Sequence, residues 1–128
     1  MIRLLVRKVS YVLSKKLMLD ALNSNLERYM DLLSARQKLV VSNIANADTP
    51  GYKTRDIDFQ DEFQNAIDPR QPQPADVSGL KTKNDGNNVN IDRESRLLAE
   101  NNLRFSIATN LLRSRLKTLR SAIEEKAG

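Results

Sequence analysis

The densest group of potentially reactive side chains is a run of carboxylates between residues 56 and 62. It comprises Asp56, Asp58, Asp61 and Glu62. Closely spaced carboxylates can bind calcium or work as a general acid and base pair. This run lacks the glycine and the terminal glutamate that an EF-hand loop places at fixed positions. We therefore interpret it as a solvated loop.

The chain also lacks the two residue types that most often carry enzyme chemistry. Its 128 residues include no histidine and no cysteine. This composition excludes an ordinary Ser-His-Asp triad, a histidine-ligated zinc site and a disulfide. We predict that the protein is not an enzyme. We also predict no catalytic residue, no metal ligand, no cofactor and no small-molecule substrate.

The net charge of +5 is confined to the N-terminus. Five of the 21 basic residues lie in residues 1–17, which contain no acid, and the other 16 are balanced by 16 acidic residues. A nucleic-acid-binding protein would be expected to concentrate lysine and arginine on its folded body. We therefore predict no nucleic-acid partner.

An asparagine-rich segment and a Thr-Pro-Gly-Tyr corner occupy residues 42–52. Asn43 and Asn46 suit the last turn of a helix, where their side chains can bond free backbone groups. Pro50 moves the residue before it out of helical geometry. Gly51 supplies the positive φ that a type II turn requires directly after proline. The segment predicts a helix end, a turn and then an extended run.

Two segments on either side of this corner have the apolar periodicity of long helices. One runs from Leu17 to about Ala47 and the other from about Asp92 to Glu125, with Asp92 as the expected N-cap. Apolar residues recur every seven positions in both, and we expect these stripes to pair the helices. The stripes are Leu19, Leu26, Leu33 and Val40 in the first helix and Leu98, Phe105, Leu112 and Leu119 in the second.

The sequence therefore predicts an all-α protein with two long terminal helices that pair as a coiled-coil-like hairpin, joined by an extended, partly disordered connector. Within the connector, a short helical turn should use Phe59, Phe63 and Ile67. Residues 68–88 are rich in proline, glutamine, asparagine and aspartate, so they should be mobile or ordered only by neighbours. The predicted segments are an extension at 1–17, a helix at 18–47, the turn and connector at 48–89, and a helix at 90–128.

The second helix carries more apolar surface than one partner helix can cover. The additional residues are Leu97, Leu103, Ile107 and Leu111. An uncovered apolar face of this kind indicates further helix neighbours. The pattern therefore favours self-assembly.

Two motifs resemble those of a known family, the axial proteins of the bacterial flagellum. Residues 42–59 carry the first, and residues 86–94, followed by Leu98-Ala99-Glu100-Asn101, carry the second. The continuation through residues 47–59 is similar to the proximal-rod branch. The motif and turn residues are Asn43, Ile44, Asn46, Thr49, Pro50, Gly51 and Tyr52.

This resemblance implies a structural subunit of the basal-body rod, whose terminal helices form the inner tubular layer of a helical assembly that transmits torque. It implies partners as well: further copies of the chain, other rod proteins and the junction protein between rod and membrane ring. Export through the flagellar type III apparatus without a cleaved signal peptide, and a place at the rod base in the periplasmic space, are also implied.

Residues 1–17 precede the usual start of the resembled family, which lies near Met18. Their apolar run is too short for a secretory signal, and charges interrupt it too often for a membrane span. One interpretation is an upstream extension. The other is a basic amphipathic helix that docks on a membrane or a partner, and it leads to an alternative function as a membrane-surface adaptor.

Overall fold

The structure is a computed structural model that describes residues 1–65 and 71–127. Its elements are α1 (Ile2–Ala45), β1 (Arg55–Asp56), α2 (Phe59–Gln64), β2 (Ala75–Asp76) and α3 (Ile91–Ala127). The prediction of an all-α protein with two long terminal helices is confirmed. The two strands are a single antiparallel pair of two residues each.

The first helix is longer than the sequence predicted. α1 has 44 residues and begins at Ile2 instead of Leu17, so the basic extension and the predicted helix are one continuous element. Residues 1–17 contain no glycine or proline, and no other local signal separates them from the helix that follows. The helix ends at Ala45, where the amide nitrogen of Asn46 bonds the Ser42 and Asn43 carbonyls at 3.1 and 3.2 Å.

The core lies between the C-terminal half of α1 and the N-terminal half of α3, which run antiparallel. On α1 the buried positions follow the predicted spacing at Leu26, Leu33 and Val40. On α3 the buried positions are Glu94, Asn101 and Ala108, which are also seven residues apart. The interface therefore combines an apolar stripe with a partly polar one.

The predicted apolar stripe of α3 is therefore displaced from the centre of this interface. Leu98 and Leu112 are half-buried, and Phe105 and Leu119 are 42% and 48% exposed. The periodicity was read correctly, but polar residues occupy the central positions because they have partners there. The Asn101 amide, for example, donates to the Leu33 carbonyl at 3.1 Å.

Packing between the two helices ends near Asn23, whose side-chain oxygen accepts from Arg115 at 3.3 Å. Beyond this contact, every residue of 1–22 and 116–125 is exposed. Leu19 is among them, so within one chain it does not pair the helices as expected. The outer parts of both helices form uncovered arms, which we call the α1 arm (residues 1–22) and the α3 arm (residues 116–125).

A short helix in the connector packs against α1. The predicted turn exists as α2, whose first turn is capped by Asp58 through a 3.0 Å bond from the Asp61 amide nitrogen. Tyr29 of α1 meets Phe59 and Phe63 edge-on, with ring centroids 5.3 and 6.0 Å apart. Ile67 lies outside the described residues, as do positions 68–70 of the segment predicted to be mobile.

The start of α3 differs from the prediction by two residues. Asn90, rather than Asp92, is the N-cap, because its side-chain oxygen accepts from the Arg93 amide nitrogen at 3.0 Å. An N-cap bonds the amide two or three residues ahead of it. Asp92 lies inside the first turn, where its charge still favours the positive end of the helix dipole.

Shortening a buried side chain of the α1 stripe should destabilise this core. Leu33 is 2% exposed, so Leu33→Ala removes packed methyl groups and should lower the free energy of unfolding by about 2–5 kcal/mol. Leu119→Ala, on the uncovered α3 arm, makes the same chemical change and should cost well under half as much. Urea unfolding followed by circular dichroism measures both, and equal costs would contradict this packing.

Candidate functional site

The two sequence motifs lie far apart in the chain but meet in space where α1 ends and α3 begins. Residues 42–56 leave α1 and turn back, and residues 83–94 lead into α3 beside them. We call these two segments together the junction. Side-chain and backbone hydrogen bonds connect them at several points, so the junction fixes how the two long helices meet.

Asn43 is the most connected side chain of the junction and is 1% exposed. Its amide nitrogen donates to the Arg55 carbonyl at 2.8 Å and to a Glu94 carboxylate oxygen at 3.0 Å. Its oxygen accepts from the Tyr52 hydroxyl and from the Arg55 amide nitrogen, both at 3.1 Å. A side-chain amide offers two donors and about two acceptor positions, so the bonding capacity of Asn43 is filled.

The predicted type II turn is present after the helix end. The Tyr52 amide nitrogen bonds the Thr49 carbonyl at 3.2 Å, and Gly51 has φ +73°. Asn46 supports the turn from the last turn of α1. Its amide nitrogen donates to the Ser42 carbonyl at 2.8 Å, and its oxygen accepts from the Thr49 hydroxyl at 3.1 Å.

Two consecutive asparagines hold the segment before α3 against this turn. The Asn87 amide nitrogen donates to the Asn46 and Thr49 carbonyls at 2.9 and 2.8 Å. The Asn88 side-chain oxygen accepts from the backbone nitrogen of Thr54 at 2.7 Å. All three of Thr54, Asn87 and Asn88 are buried. This end of the connector is therefore fixed within the chain itself, which composition alone did not indicate.

The two glycine turns approach each other closely. The Gly51 amide nitrogen bonds the Asp85 carbonyl at 2.9 Å, and Gly86 follows with φ +86°. A Cβ atom on Gly86 would lie 3.4 Å from the Gly51 Cα, in a backbone conformation that side chains rarely adopt. Glycine at position 86 therefore suits both its own backbone and the contact.

A compact group of charges connects both segments of the junction to Arg36 of α1. Asp56 accepts from Arg36 of α1 at 2.9 and 3.0 Å and from Arg93 of α3 at 2.8 Å. Arg93 also donates to Glu94, whose side chain is fully buried. Two carboxylates and two guanidinium groups thus balance one another. Asp56 is therefore no part of a solvated loop, and that interpretation of residues 56–62 was wrong at this residue. Asp58 is exposed, and Asp61 and Glu62 lie in α2.

The pKa of Asp56 reflects these contacts. Burial raises the pKa of this carboxyl. The hydrogen bond and charge of Arg36, followed by the bonds from Arg93 and the Ile57 amide nitrogen, together lower the pKa by more than burial raises it. The net pKa lies below the ordinary value of 3.8. The ionised form of Asp56 is therefore favoured by folding.

The structure brings most of the predicted motif residues into the junction. Asn43, Asn46, Thr49, Gly51 and Tyr52 all bond within it, and Ile44 is half-buried beside them. Pro50 is exposed and serves the turn by its fixed backbone. Sequence reasoning missed further bonding residues, among them Arg36, Asn87, Asn88, Arg93 and Glu94. The only available signal was the second motif, which includes the last four.

A second candidate surface lies on α3, away from the core. Leu103, Ile107 and Leu111 follow one another at four-residue spacing and are 63%, 59% and 46% exposed. Leu97, grouped with them by sequence, is half-buried. Residues three or four apart share a helix face, so the three exposed side chains form one stripe. We call it the α3 outer stripe.

Residues 1–65 and 71–127 hold neither a candidate cluster of metal ligands nor a helix fit to cross a membrane. In these ranges there is no group of three or more acidic, histidine or cysteine side chains placed to hold a metal ion. Across the same ranges, no helix combines the length and the hydropathy that crossing a membrane requires.

Removing the side-chain amide of Asn43 should destabilise the junction strongly. Asn43→Ala removes the side-chain partner of the Arg55 amide nitrogen and carbonyl and one partner of the buried Glu94 carboxylate, and each such loss costs about 1–3 kcal/mol. The total loss in the free energy of unfolding should be about 3 kcal/mol or more. Asn102→Ala, at an exposed position with one 3.4 Å bond, is the control and should cost little. Denaturant unfolding that finds both variants equally stable would contradict the role of Asn43.

The ion pairs predict a loss of stability in acid. Because folding lowers the pKa of Asp56, its contribution is fully present above the ordinary value of 3.8 and disappears as pH falls through the lowered pKa. Asp56→Asn should therefore be less stable than the parent chain at neutral pH, and the difference should narrow below about pH 4. Exposed Asp20, as Asp20→Asn, is the control. Denaturant titrations across pH would contradict this if the Asp56→Asn difference were constant.

Several known proteins are similar in sequence to this chain over nearly their whole length. A family model described as flagella basal body rod protein matches residues 30–53, which span the Leu33 core position, Asn43 and the turn. Flagellar basal body rod protein FlgB of Salmonella typhimurium is 30% identical, and the match covers 84% of this chain and 98% of that protein. FlgB proteins of Borrelia hermsii and Yersinia ruckeri are both 31% identical, and the matches cover 91% and 99% of them. Because about 30% identity extends over almost the full length of these relatives, the chain belongs to the family of flagellar basal body rod protein FlgB.

Proposed function

We propose that the chain is a structural subunit of the flagellar basal body rod, which assembles with further rod subunits and passes motor torque along the assembly. The observation that carries this proposal is the uncovered apolar surface. The α3 outer stripe and the two arms expose leucine, isoleucine and valine side chains that one chain cannot bury. Assembly with neighbouring helices would remove this surface from water.

The junction provides the rigidity that such a subunit needs. A torque-bearing subunit must hold the angle between its helices while neighbours push on them. In this chain the angle is held by the Asn43 bonds and by the paired charges of Asp56, Arg36 and Arg93. Breaking any one of these bonds removes a partner from a buried or partly buried polar group, so small distortions are costly.

The partners and the location follow from the family and are part of the proposal. The chain would contact further copies of itself, other rod proteins and the junction protein that connects the rod to the membrane ring. It would reach the periplasmic rod base through the flagellar type III export apparatus, without a cleaved signal peptide. The work of such a subunit is mechanical and needs no reaction, in keeping with the family's name as a rod protein.

The α3 outer stripe gives a test that separates assembly from folding. Ile107 is 59% exposed, so Ile107→Asp adds a charge without removing core packing, and the purified chain should keep its helix content and unfolding midpoint. In cells of the encoding bacterium the same charge would be buried between subunits at a cost of several kcal/mol. These cells should be non-motile and should lack complete rods in isolated basal bodies.

The matched control is Ile107→Val, which keeps an apolar side chain at the same position. Cells with Ile107→Val should swim and build rods. Deleting the whole gene tests the function directly, and a deletion strain with complete rods and normal swimming would overturn the proposal. If the deletion strain lacks rods but Ile107→Asp cells swim normally, the rod role stands and the outer stripe is not an assembly surface.

A further inference from the structure

The α1 arm contains a helical segment whose charge differs from that of the rest of the chain. Within residues 1–17 there are five basic residues and no acid, whereas basic and acidic residues balance in the remainder. All seventeen are exposed, and the segment belongs to the same helix as the core residues Leu33 and Val40. The segment is therefore an exposed, positively charged continuation of α1. We call it the basic segment.

Most apolar side chains of the basic segment lie on one side of the helix, while Leu4, which is 65% exposed, lies on the other. Those on the first side are Ile2, Leu5, Val6, Val9, Val12, Leu13 and Leu17, each more than half exposed. On a regular helix these residues fall within an arc of about 140°. Five of them line one continuous shallow surface together with two serines. An arc this wide exceeds the narrow stripe that a single partner helix covers in a coiled coil.

Two of the five basic residues lie at the margins of this apolar arc, and Arg7 and Lys15 lie on the opposite side of the helix. Arg3 lies about 40° beyond one edge and Lys8 about 40° beyond the other, by helical geometry. Lys16 falls inside the arc, where its long aliphatic stem can lie along an apolar surface while the ammonium group reaches water. On the opposite side, the Lys15 ammonium group makes a cation–π contact with Tyr11, 4.8 Å from the ring centre.

Charge selects the occupant of this face. A second copy of the segment would bring five further positive charges and no acid, so pairing between copies is opposed by repulsion. The chain's own α3 arm leaves the segment uncovered, since residues 116–125 are exposed as well. An anionic bilayer surface offers both a negative field and a wide apolar region that a helix lying in the interface can enter.

We propose that the basic segment is an interfacial helix that binds anionic membrane surfaces, with its apolar arc in the headgroup boundary and its arginine and lysine side chains on lipid phosphates. This contact is separate from assembly through the α3 outer stripe. It adds a membrane contact to a rod subunit and does not replace the structural role. The ligand class is an anionic phospholipid surface.

The test measures binding of the full-length purified chain to vesicles by co-sedimentation. One vesicle preparation contains phosphatidylglycerol and phosphatidylcholine in equal parts, and the other contains phosphatidylcholine alone. The parent chain should bind the first and not the second, and raised salt should weaken the binding because it screens surface charge. Binding to neither preparation, or equal binding to both, would overturn the proposal.

Paired variants locate the contact on the chain. Arg3→Gln with Lys8→Gln should weaken binding about thirtyfold, about fivefold for each lost charge near the surface. The control is Arg113→Gln with Lys117→Gln, which removes two equally exposed charges from α3 and should leave binding unchanged. Leu13→Gln should weaken binding about tenfold through lost apolar burial, and Leu119→Gln is its control.

All six positions are exposed in the chain, so the variants should fold normally, and circular dichroism checks that they do. Equal losses in the control variants would show general charge attraction and would overturn the assignment to the basic segment. Capture of an acidic protein by the segment, without vesicle binding, would likewise overturn it. None of these results bears on rod assembly, which the Ile107 variants and the gene deletion test independently.

Discussion

The side chain of Asn43 is the interaction on which the geometry of this fold depends. Its amide bonds both the nitrogen and the carbonyl of Arg55, so it pairs with the departing backbone as a neighbouring strand would. Its other bonds reach Tyr52 and Glu94. Aspartate in its place would lack both donors, and glutamine would be one methylene longer. One side chain thus fixes the end of α1, the exit of the chain and the start of α3.

The charged group beside Asn43 makes the junction cooperative. The burial of Asp56 and Glu94 would be costly for either carboxylate alone, and it is offset only while Arg36 and Arg93 remain in place. These four residues come from α1, the connector and α3. The three parts therefore order together. A small protein with few aromatic residues gains here the specificity that a larger apolar core would otherwise supply.

Local chemistry explains which features could be predicted from the sequence. The type II turn depends on Pro50 and Gly51 alone, and the two long helices depend on spacing within each segment, so both were predicted correctly. The close approach of Gly86 to Gly51 and the bonds of Asn87 depend on segments that are distant in sequence. Composition describes residues 68–88 as unable to form a core. It cannot show that the asparagines at 87 and 88 take backbone groups of another segment as partners.

The same limit explains the displaced stripe of α3. Seven-residue spacing identifies a helix that pairs, but several sets of residues on one helix share that spacing. Glu94 and Asn101 hold the central positions because each finds a partner on α1. Phe105 and Leu119 of the predicted apolar stripe are therefore exposed to solvent. The sequence identified the right period and assigned it to the wrong central residues.

The contrast between a satisfied junction and uncovered arms has a consequence for assembly. A helix without tertiary packing is only marginally stable in water, and the residues of both arms have no packed face within the chain. Their stability must therefore come from whatever surface they contact. The junction, in contrast, is complete within one subunit and sets the direction in which both arms leave it. In a subunit of this kind the angle between α1 and α3 is set before assembly. The arms become ordered only where neighbouring subunits cover their apolar surface. Folding of the arms is therefore coupled to correct placement in the assembly.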